Sequence, residues 1–266
     1  MKSILALFTF SVLGFAEVVN PGASFLAHIA DGGGITMDIT LVNLDDIPNS
    51  YTLYLYADDG SLLRLATDAG TANTFTGTLP GHASFTIHTS GASATAVSGW
   101  AGLATSGTIG GSVVFRVNTP PWSGSQTMLP FDSSKGYRFS LAFDNTGSNT
   151  TGLAIANYLS SAIPVTVTFK NENGTVIASN TFSLGPLAHQ AIVTTSAYPA
   201  TAGQKGTVEI LTTASGMTVL GLNFGPTAVS SILPLVSSSW VQAAAPTDPG
   251  NPYDPYGYVR VGGAPK

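Results

Sequence analysis

The chain has 266 residues and a formal net charge of −5, and charged residues make up only 9% of it, against roughly 25% in an ordinary soluble domain. Its polarity comes instead from hydroxyl groups, because 32 Thr and 28 Ser accompany 30 Gly. No Lys/Arg cluster provides the positive surface that nucleic-acid binding requires. The absence of Cys excludes disulfides, thiolate catalysis, zinc fingers and iron–sulfur sites.

Residues 1–16 have the pattern of a secretory signal peptide. Lys2 precedes an apolar run that ends at Phe15, and the small residue Ala16 follows. The run is too short to cross a bilayer of about 30 Å, although a buried strand or an N-terminal anchor is the alternative. We therefore expect cleavage after Ala16 and a secreted or cell-surface bacterial protein, with no transmembrane segment in the mature chain.

A duplication is indicated by landmarks that recur at one offset. A shift of 114 residues joins Phe25 to Phe139, Gly60 to Gly174, and the tripeptide ending at Asn43 to the one ending at Asn157. Chance similarity is the alternative in a chain so rich in Gly and Thr. We predict domain one at 23–117, a linker at 118–136, domain two at 137–236 and a Pro- and Tyr-rich tail at 237–266.

Within each copy the apolar residues alternate with period two, as a sheet with one buried face requires. Val165, Val167 and Phe169, for example, are separated by polar residues. The fold class predicted is all-β, with two tandem immunoglobulin-like antiparallel β-sandwiches. The strands predicted in copy one are 36–43, 51–57, 74–79, 83–88, 95–103 and 111–117.

Four strings resemble a tandem module found in many exported bacterial proteins of unknown role. They are HIADGGG from His28, LVN from Leu41, FDNT from Phe143 and YPATAG from Tyr198. The resemblance covers about 23–236 and implies β-sandwich units that are secreted or exposed on the cell surface. It carries over no active site.

The four His residues give no catalytic or metal-binding pattern. His28 precedes Asp31 by three residues, so an orienting pair is conceivable, but no placed nucleophile accompanies it. His82 and His88 fall on one predicted strand roughly 20 Å apart, too far to share a metal ion. We expect ordinary strand histidines.

Adjacent carboxylates occur at Asp45-Asp46 and Asp58-Asp59, both in predicted turns. Glycoside hydrolysis needs two carboxyl groups about 5 to 10 Å apart across a cleft, and a calcium loop needs further oxygen ligands. Solvated turn residues are the simpler interpretation. We therefore expect no catalytic residue, no metal and no cofactor.

Two tyrosines distinguish the copies. By the offset of 114, Tyr54 and Tyr56 align with the polar Thr168 and Lys170 of copy two. Two rings on one solvated sheet face could stack on sugar rings or a partner, or they could pack against the other domain. The ligand-binding residues predicted are Tyr54 and Tyr56. Trp100, which aligns with Glu209 where the offset shortens to 109 residues, is expected in the core.

Three functions follow from these features. The leading hypothesis is a non-catalytic exported binding or adhesion protein that recognises a glycan or a cell-surface protein through the aromatic face. The alternative is a structural protein that self-associates through sheet edges, since few Lys residues protect its strands. A carbohydrate-active hydrolase is the third.

Overall fold

The computed structural model describes residues 24–134 and 136–237 of the chain. The predicted signal peptide at 1–16, Lys135 and the tail after Ser237 lie outside the described residues. The described part is all-β: its antiparallel sheets are accompanied only by a four-residue helix and one 3-10 turn.

The first half, residues 24–134, contains two four-stranded sheets and one short hairpin. Their strand orders are β1-β8-β3-β6 and β10-β9-β2-β7, and the hairpin is β4-β5. The strands are β1 Ser24–Asp31, β2 Ile35–Asn43, β3 Asn49–Ala57, β4 Leu65–Thr67, β5 Gly70–Ala72, β6 Thr74–Leu79, β7 Ser84–His88, β8 Val97–Thr105, β9 Ile109–Val117 and β10 Ser125–Pro130.

The second half, residues 136–237, contains a five-stranded and a four-stranded sheet. Their orders are β14-β13-β16-β11-β19 and β15-β12-β17-β18. The elements are β11 Arg138–Asp144, β12 Thr150–Asn157, β13 Ile163–Asn171, β14 Val176–Leu184, β15 His189–Val193, helix α1 Thr194–Ala197, the 3-10 turn Pro199–Thr201, β16 Lys205–Thr212, β17 Met217–Phe224, β18 Val229–Ile232 and β19 Leu235–Ser237.

Strand pairing follows one order in both halves. The sheet β1-β8-β3-β6 corresponds to β11-β16-β13-β14, and β10-β9-β2-β7 corresponds to β18-β17-β12-β15, when strands are matched in chain order. Hairpin β4-β5 and strand β19 have no counterpart among the described residues. Each half is β-sandwich-like, because one apolar cluster joins side chains from both of its sheets.

A buried Asn occupies the same place in each half and makes the same bonds. Asn43 donates through Nδ2 to the carbonyls of residues 47, 79 and 80. Asn157 donates to the carbonyls of residues 161, 184 and 185. The turn before β7 and the turn before β15 also match, since His82 and Leu187 both have positive φ, at 58° and 53°.

The strand register changes two of the residue matches that the sequence offsets give. Phe25 pairs with Gly102, and Phe139 pairs with Ile210. Phe25 consequently packs with Tyr56 and Trp100, whereas Phe139 lies in the core of the second half. Trp100 pairs with Tyr56, and its counterpart is therefore Thr207 rather than Glu209. A β-bulge in β1 accounts for the first error.

The predicted strands of copy one are all present, and no end differs from the predicted one by more than two residues. Val165, Val167 and Phe169 are fully buried, as their alternation predicts. The predicted linker at 118–136 differs, because β10 lies inside it and pairs with β9 along six residues. Pro130 is tolerated there because it ends an edge strand.

Candidate functional site

The two halves meet through a cluster of aromatic side chains. Tyr56 stacks on Trp100 with ring centroids 4.4 Å apart, and Phe25 stacks on Tyr158 at 4.0 Å. The indole Nε1 of Trp100 donates to the backbone carbonyl of Leu187, 2.6 Å away in the other half. Ala154 and Leu220 of the second half also belong to the core of the first half. The halves therefore share apolar interior.

This contact changes the interpretation of the predicted tyrosine face. Tyr56 is only 3% exposed and Tyr54 is partly buried against the same cluster, so the expectation that both rings stand in solvent is wrong for Tyr56. The second half covers the sheet face of the first half that carries Tyr54 and Tyr56. The corresponding face of the second half carries the polar Thr168 and Lys170. Trp100 is fully buried, as expected, but between the halves. Ligand binding at Tyr54 stays a prediction.

A chain of three polar side chains crosses the same contact. Nδ1 of His189 lies 2.8 Å from Oδ1 of Asp58, and Nε2 of His189 lies 3.3 Å from Nδ1 of His28. The backbone N–H of His189 donates to the carbonyl of Asp58 at 3.0 Å. Ser98 donates to both carboxylate oxygens of Asp58 at 3.0 Å. The sequence gives no local pattern for this chain, since its members lie on distant strands.

Electrostatic interactions set the charge states of Asp58 and His28, the two ends of this chain of side chains. The hydrogen bond from His189 holds the pKa of Asp58 below its usual range, so the carboxylate is ionised at neutral pH. Burial lowers the pKa of His28 to about 3, helped by the neighbouring His189. His28 is therefore a neutral imidazole. His28 does not contact Asp31: its ring lies against His189, and Asp31 accepts from the backbone N–H of Gly91.

His28 also lines a small apolar cleft on the outer face of the sheet β15-β12-β17-β18. The cleft has a volume of about 160 Å³ and is open to solvent. Its other walls are apolar and come from the second half: Gly152, Leu153, Ala154, Ala191, Ile192, Val193, Leu222 and Phe224.

A larger groove opens at the side of the second half away from β19, between edge strands β14 and β15. It has a volume of about 490 Å³. Phe182 and Tyr198 contribute rings, and Asn180, Ser183 and Gln190 contribute exposed polar groups. The remaining lining residues are Ile155, Leu184, His189, Ile192 and Ala197. Among residues 24–134 and 136–237, no Asp, Glu, Lys or Arg lines it, so the groove suits a neutral ligand.

Tyr198 links the exposed Asn180 of this groove to the buried Phe169. Its hydroxyl shares a hydrogen bond with the side chain of Asn180, and burial raises its pKa. Its ring packs on Phe169 with centroids 4.8 Å apart. Tyr198 begins the string YPATAG, one of the four strings that carry the resemblance to the tandem module. The helix α1 and the 3-10 turn bring this residue beside β14, and no periodicity in the sequence predicts that position.

The two remaining histidines, His82 and His88, lie at the surface of the first half. His82 is in a turn rather than on a strand and pairs with Asp46 at 2.8 Å. His88 ends β7 and lies 2.7 Å from Asp38, which raises the pKa of His88. Arg116 also contacts Asp38 at 2.6 Å. These contacts form two separate groups of surface ion pairs, one around Asp46 and one around Asp38.

The adjacent carboxylates have separate partners: Asp46 pairs with His82 and Asp58 with His189, whereas Asp45 and Asp59 accept hydrogen bonds from amide, hydroxyl and backbone groups. Asp45 accepts from the backbone N–H of Thr108 and from Asn49, both at 2.7 Å, and these bonds lower its pKa. Asp59 accepts from Ser61. Within residues 24–134 and 136–237, no group of three His, Asp or Glu side chains is arranged to hold a metal ion. No helix in the same ranges is long and apolar enough to cross a membrane.

Comparison with known proteins leaves the family open. The chain matches no protein-family model, and no curated protein matches it. The molecular features that bear on function are therefore the geometry of the groove and the contact between the halves.

Proposed function

We propose that this is an exported, non-catalytic binding protein whose ligand is a neutral glycan held in the groove between β14 and β15. One observation carries the proposal: the groove joins aromatic rings to amide and hydroxyl groups, and within the described part of the chain no Asp, Glu, Lys or Arg side chain lines it. Glycans offer C–H faces to rings and hydroxyl groups to amides, so they complement both kinds of surface.

The size of the groove supports a ligand rather than a packing defect. Ligand pockets usually measure about 300 to 1,000 Å³ and combine an apolar lining with a few placed polar groups, and this groove measures about 490 Å³. Asn180 and Gln190 are exposed, each on an edge strand. Their amides therefore reach a ligand without any movement of the core.

The test is a glycan-array screen of residues 17–266, followed by calorimetric titration of the best glycan. Asn180→Ala with Gln190→Ala removes the two amides while leaving the apolar floor in place. Because a neutral hydrogen bond contributes about 0.5 to 1.5 kcal/mol, the double variant should bind roughly 5- to 150-fold more weakly.

The matched control is Ser179→Ala with Thr181→Ala. These residues lie on β14 too, but their hydroxyls bond to Thr168 and Thr166 on the opposite face of the sheet. This variant should keep the affinity of the wild type. The glycan proposal fails if the array shows no binding, or if both double variants lose affinity equally.

A second function is favoured by the edge of β14 itself. Among the strands that the structure describes, it pairs only with β13, and its nine residues include neither a charged residue nor Pro, whereas natural edge strands are usually protected by such residues. Self-association through β14 would make the protein structural. Sedimentation at rising concentration tests it: Ser179→Lys with Thr181→Lys should abolish any assembly, and a wild type that stays monomeric rules it out.

We infer further that the halves are immunoglobulin-like units that arose by duplication, and that the protein is secreted. The common strand order and the matched bonds of Asn43 and Asn157 support the duplication. The pattern of residues 1–16 supports export. N-terminal sequencing of material secreted by a bacterial host should begin at Glu17, and a start at Met1 would contradict cleavage.

A further inference from the structure

A cavity opens where the two halves meet, and it shares no lining residue with the groove between β14 and β15. Strand β1, the end of β10 and the segment that follows β10 line it from the first half. Strand β17 and the segment before β19 line it from the second half. Most of this lining is apolar, and it includes Phe25, Leu129, Phe131, Val219, Leu220 and Leu233. A ligand in this cavity would therefore contact both halves.

Among the residues that the structure describes, one charged side chain lines the cavity, the carboxylate of Asp132. The backbone of Asp132 exchanges two hydrogen bonds with the backbone of Phe25, both at 2.8 Å. Its Oδ1 accepts from the backbone N–H of Ser134, also at 2.8 Å. A carboxylate offers about four acceptor sites, and Ser134 uses one of them. The carboxylate is thus held in place and can still accept from a donor in the cavity.

The volume of the cavity sets the size of the ligand. It measures about 180 Å³, and an apolar cavity of roughly 150 Å³ holds one benzene ring. The space therefore suits a single ring, or a short alkyl chain, that carries one small substituent. Leu220 belongs to the core of the first half, whereas Leu233 is 56% exposed, so the cavity extends from buried apolar surface to solvent.

We propose that this cavity binds a small organic cation, an apolar ring or short alkyl chain that bears one primary ammonium group. The apolar body lies against Phe131, Val219 and Leu233, and the ammonium donates to the carboxylate of Asp132. An anionic ligand is disfavoured by repulsion from this carboxylate, because no Lys, Arg or His within 24–134 and 136–237 lines the cavity to offset it.

The combination of apolar walls with one carboxylate distinguishes this ligand from simpler ones. A small inorganic cation would meet Asp132 but would leave the apolar walls in contact with water. A neutral ring would cover the walls but would form only a neutral hydrogen bond with the carboxylate, and a charge-assisted bond is roughly twice as strong. An organic ammonium ion satisfies both surfaces, so it should bind more tightly than either.

The experiment compares benzylamine with benzyl alcohol, titrated into the full chain and followed by ligand-observed NMR at neutral pH. The two compounds share a ring and a one-carbon arm, but the amine is protonated, as the side chain of Lys is. We expect benzylamine to bind the wild type at least tenfold more tightly. Asp132→Asn keeps an oxygen that can accept from Ser134 and removes the charge, so it should abolish this preference.

The matched control is Asp46→Asn, which makes the same change of net charge at a side chain that is 95% exposed in the first half. It should keep the preference for benzylamine. Leu233→Ala shortens an exposed wall of the cavity and should weaken both compounds by the same factor, which provides a second test if Asp132→Asn does not fold.

Four results would overturn the proposal. They are no binding of benzylamine to the wild type, a preference below tenfold, an equal loss of preference in Asp46→Asn and Asp132→Asn, and unchanged affinities in Leu233→Ala. Because the cavity and the groove have no lining residue in common, none of these results bears on the glycan proposal.

Discussion

A pair of equivalent glycines gives a direct test of the contact between the halves. Gly60 and Gly174 occupy the same position of the turn that follows β3 and β13, with φ of 85° and 78°. A Cβ on Gly174 would meet nothing within 4 Å, whereas a Cβ on Gly60 would lie 2.4 Å from the carbonyl oxygen of Pro186. Alanine at either site has the same backbone strain, so the difference between them isolates the contact.

The magnitude follows from these distances. Positive φ costs a non-glycine residue about 1 to 2 kcal/mol, which should be the whole effect of Gly174→Ala. Gly60→Ala must also displace the turn at 185–188 by about 1 Å, because ordinary contacts are near 3.5 Å. That turn supplies the acceptor for Trp100. Overpacking of about 1 to 3 kcal/mol and a weakened hydrogen bond of about 1 kcal/mol bring the additional loss to about 2 to 4 kcal/mol.

Thermal unfolding measured by circular dichroism and calorimetry reads out this difference. For a chain of this size, 1 kcal/mol corresponds to roughly 2 to 4 °C, so Gly60→Ala should melt about 4 to 16 °C below Gly174→Ala. Tryptophan fluorescence should also change in Gly60→Ala, because Trp100 loses its fixed acceptor. Equal melting temperatures in the two variants would refute the tight packing of the turn against the second half.

Three further predictions use the same stability measurements. Tyr54→Ala with Tyr56→Ala should lower the free energy of unfolding about as much as Leu55→Ala, by about 2 to 5 kcal/mol, since Tyr56 is buried. A change within about 0.5 kcal/mol would instead indicate that both rings stand in solvent. Asn157→Ala should cost about 2 to 4 kcal/mol in urea unfolding, because it leaves buried carbonyls unbonded, and a neutral result would refute its anchoring role. The pKa of His28 is about 3 in the fold against 6.5 for a free His, so between these pH values the unfolded chain binds a proton that the folded chain does not. The free energy of unfolding should therefore fall from about pH 6.5 towards pH 3, by up to about 1.4 kcal/mol per pH unit. His28→Leu should flatten this slope, and an unchanged slope would contradict the low pKa of His28.

Much of the fold was predictable because its signals are local. The alternation around Val167 gives a strand with one buried face, and the triplets ending at Gly60 and Gly174 give turns with positive φ. β10 was missed because Pro and Ser dominate the segment before it, while its two buried side chains, Thr127 and Leu129, are too few to form a visible pattern.

The sites were less predictable because their members come from separate strands. His28 and His189 are 161 residues apart, and His189 and Asp58 are 131 apart, so no spacing rule connects them. The contrast of Tyr56 with Lys170 is visible in the sequence. It could not show whether a ligand or the other half covers the ring, because burial between halves and stacking on a ligand select the same residue type.

The contact between the halves uses unlike surfaces. The turn 58–60 of the first half packs on the turn 185–188 of the second. The counterparts of these surfaces are the turn 172–174 of the second half and the turn 80–83 of the first, where Glu172 and His82 have side-chain exposures of 63% and 67%. Such a heterologous arrangement does not close on itself, and repeating it would generate an open filament.

The side chains at the free end stop that growth. Where the first half presents Tyr56 and Trp100, the second half presents Lys170 and Thr207, and Glu209 pairs there with Lys170 and Arg138. Docking the turn 80–83 of a second chain on this face would strip water from these charges, and that turn contains no Asp, Glu, Lys or Arg to pair with them, which is strongly unfavourable. The charged face therefore opposes end-to-end association, and exchanging it for the aromatic one would favour a filament of chains.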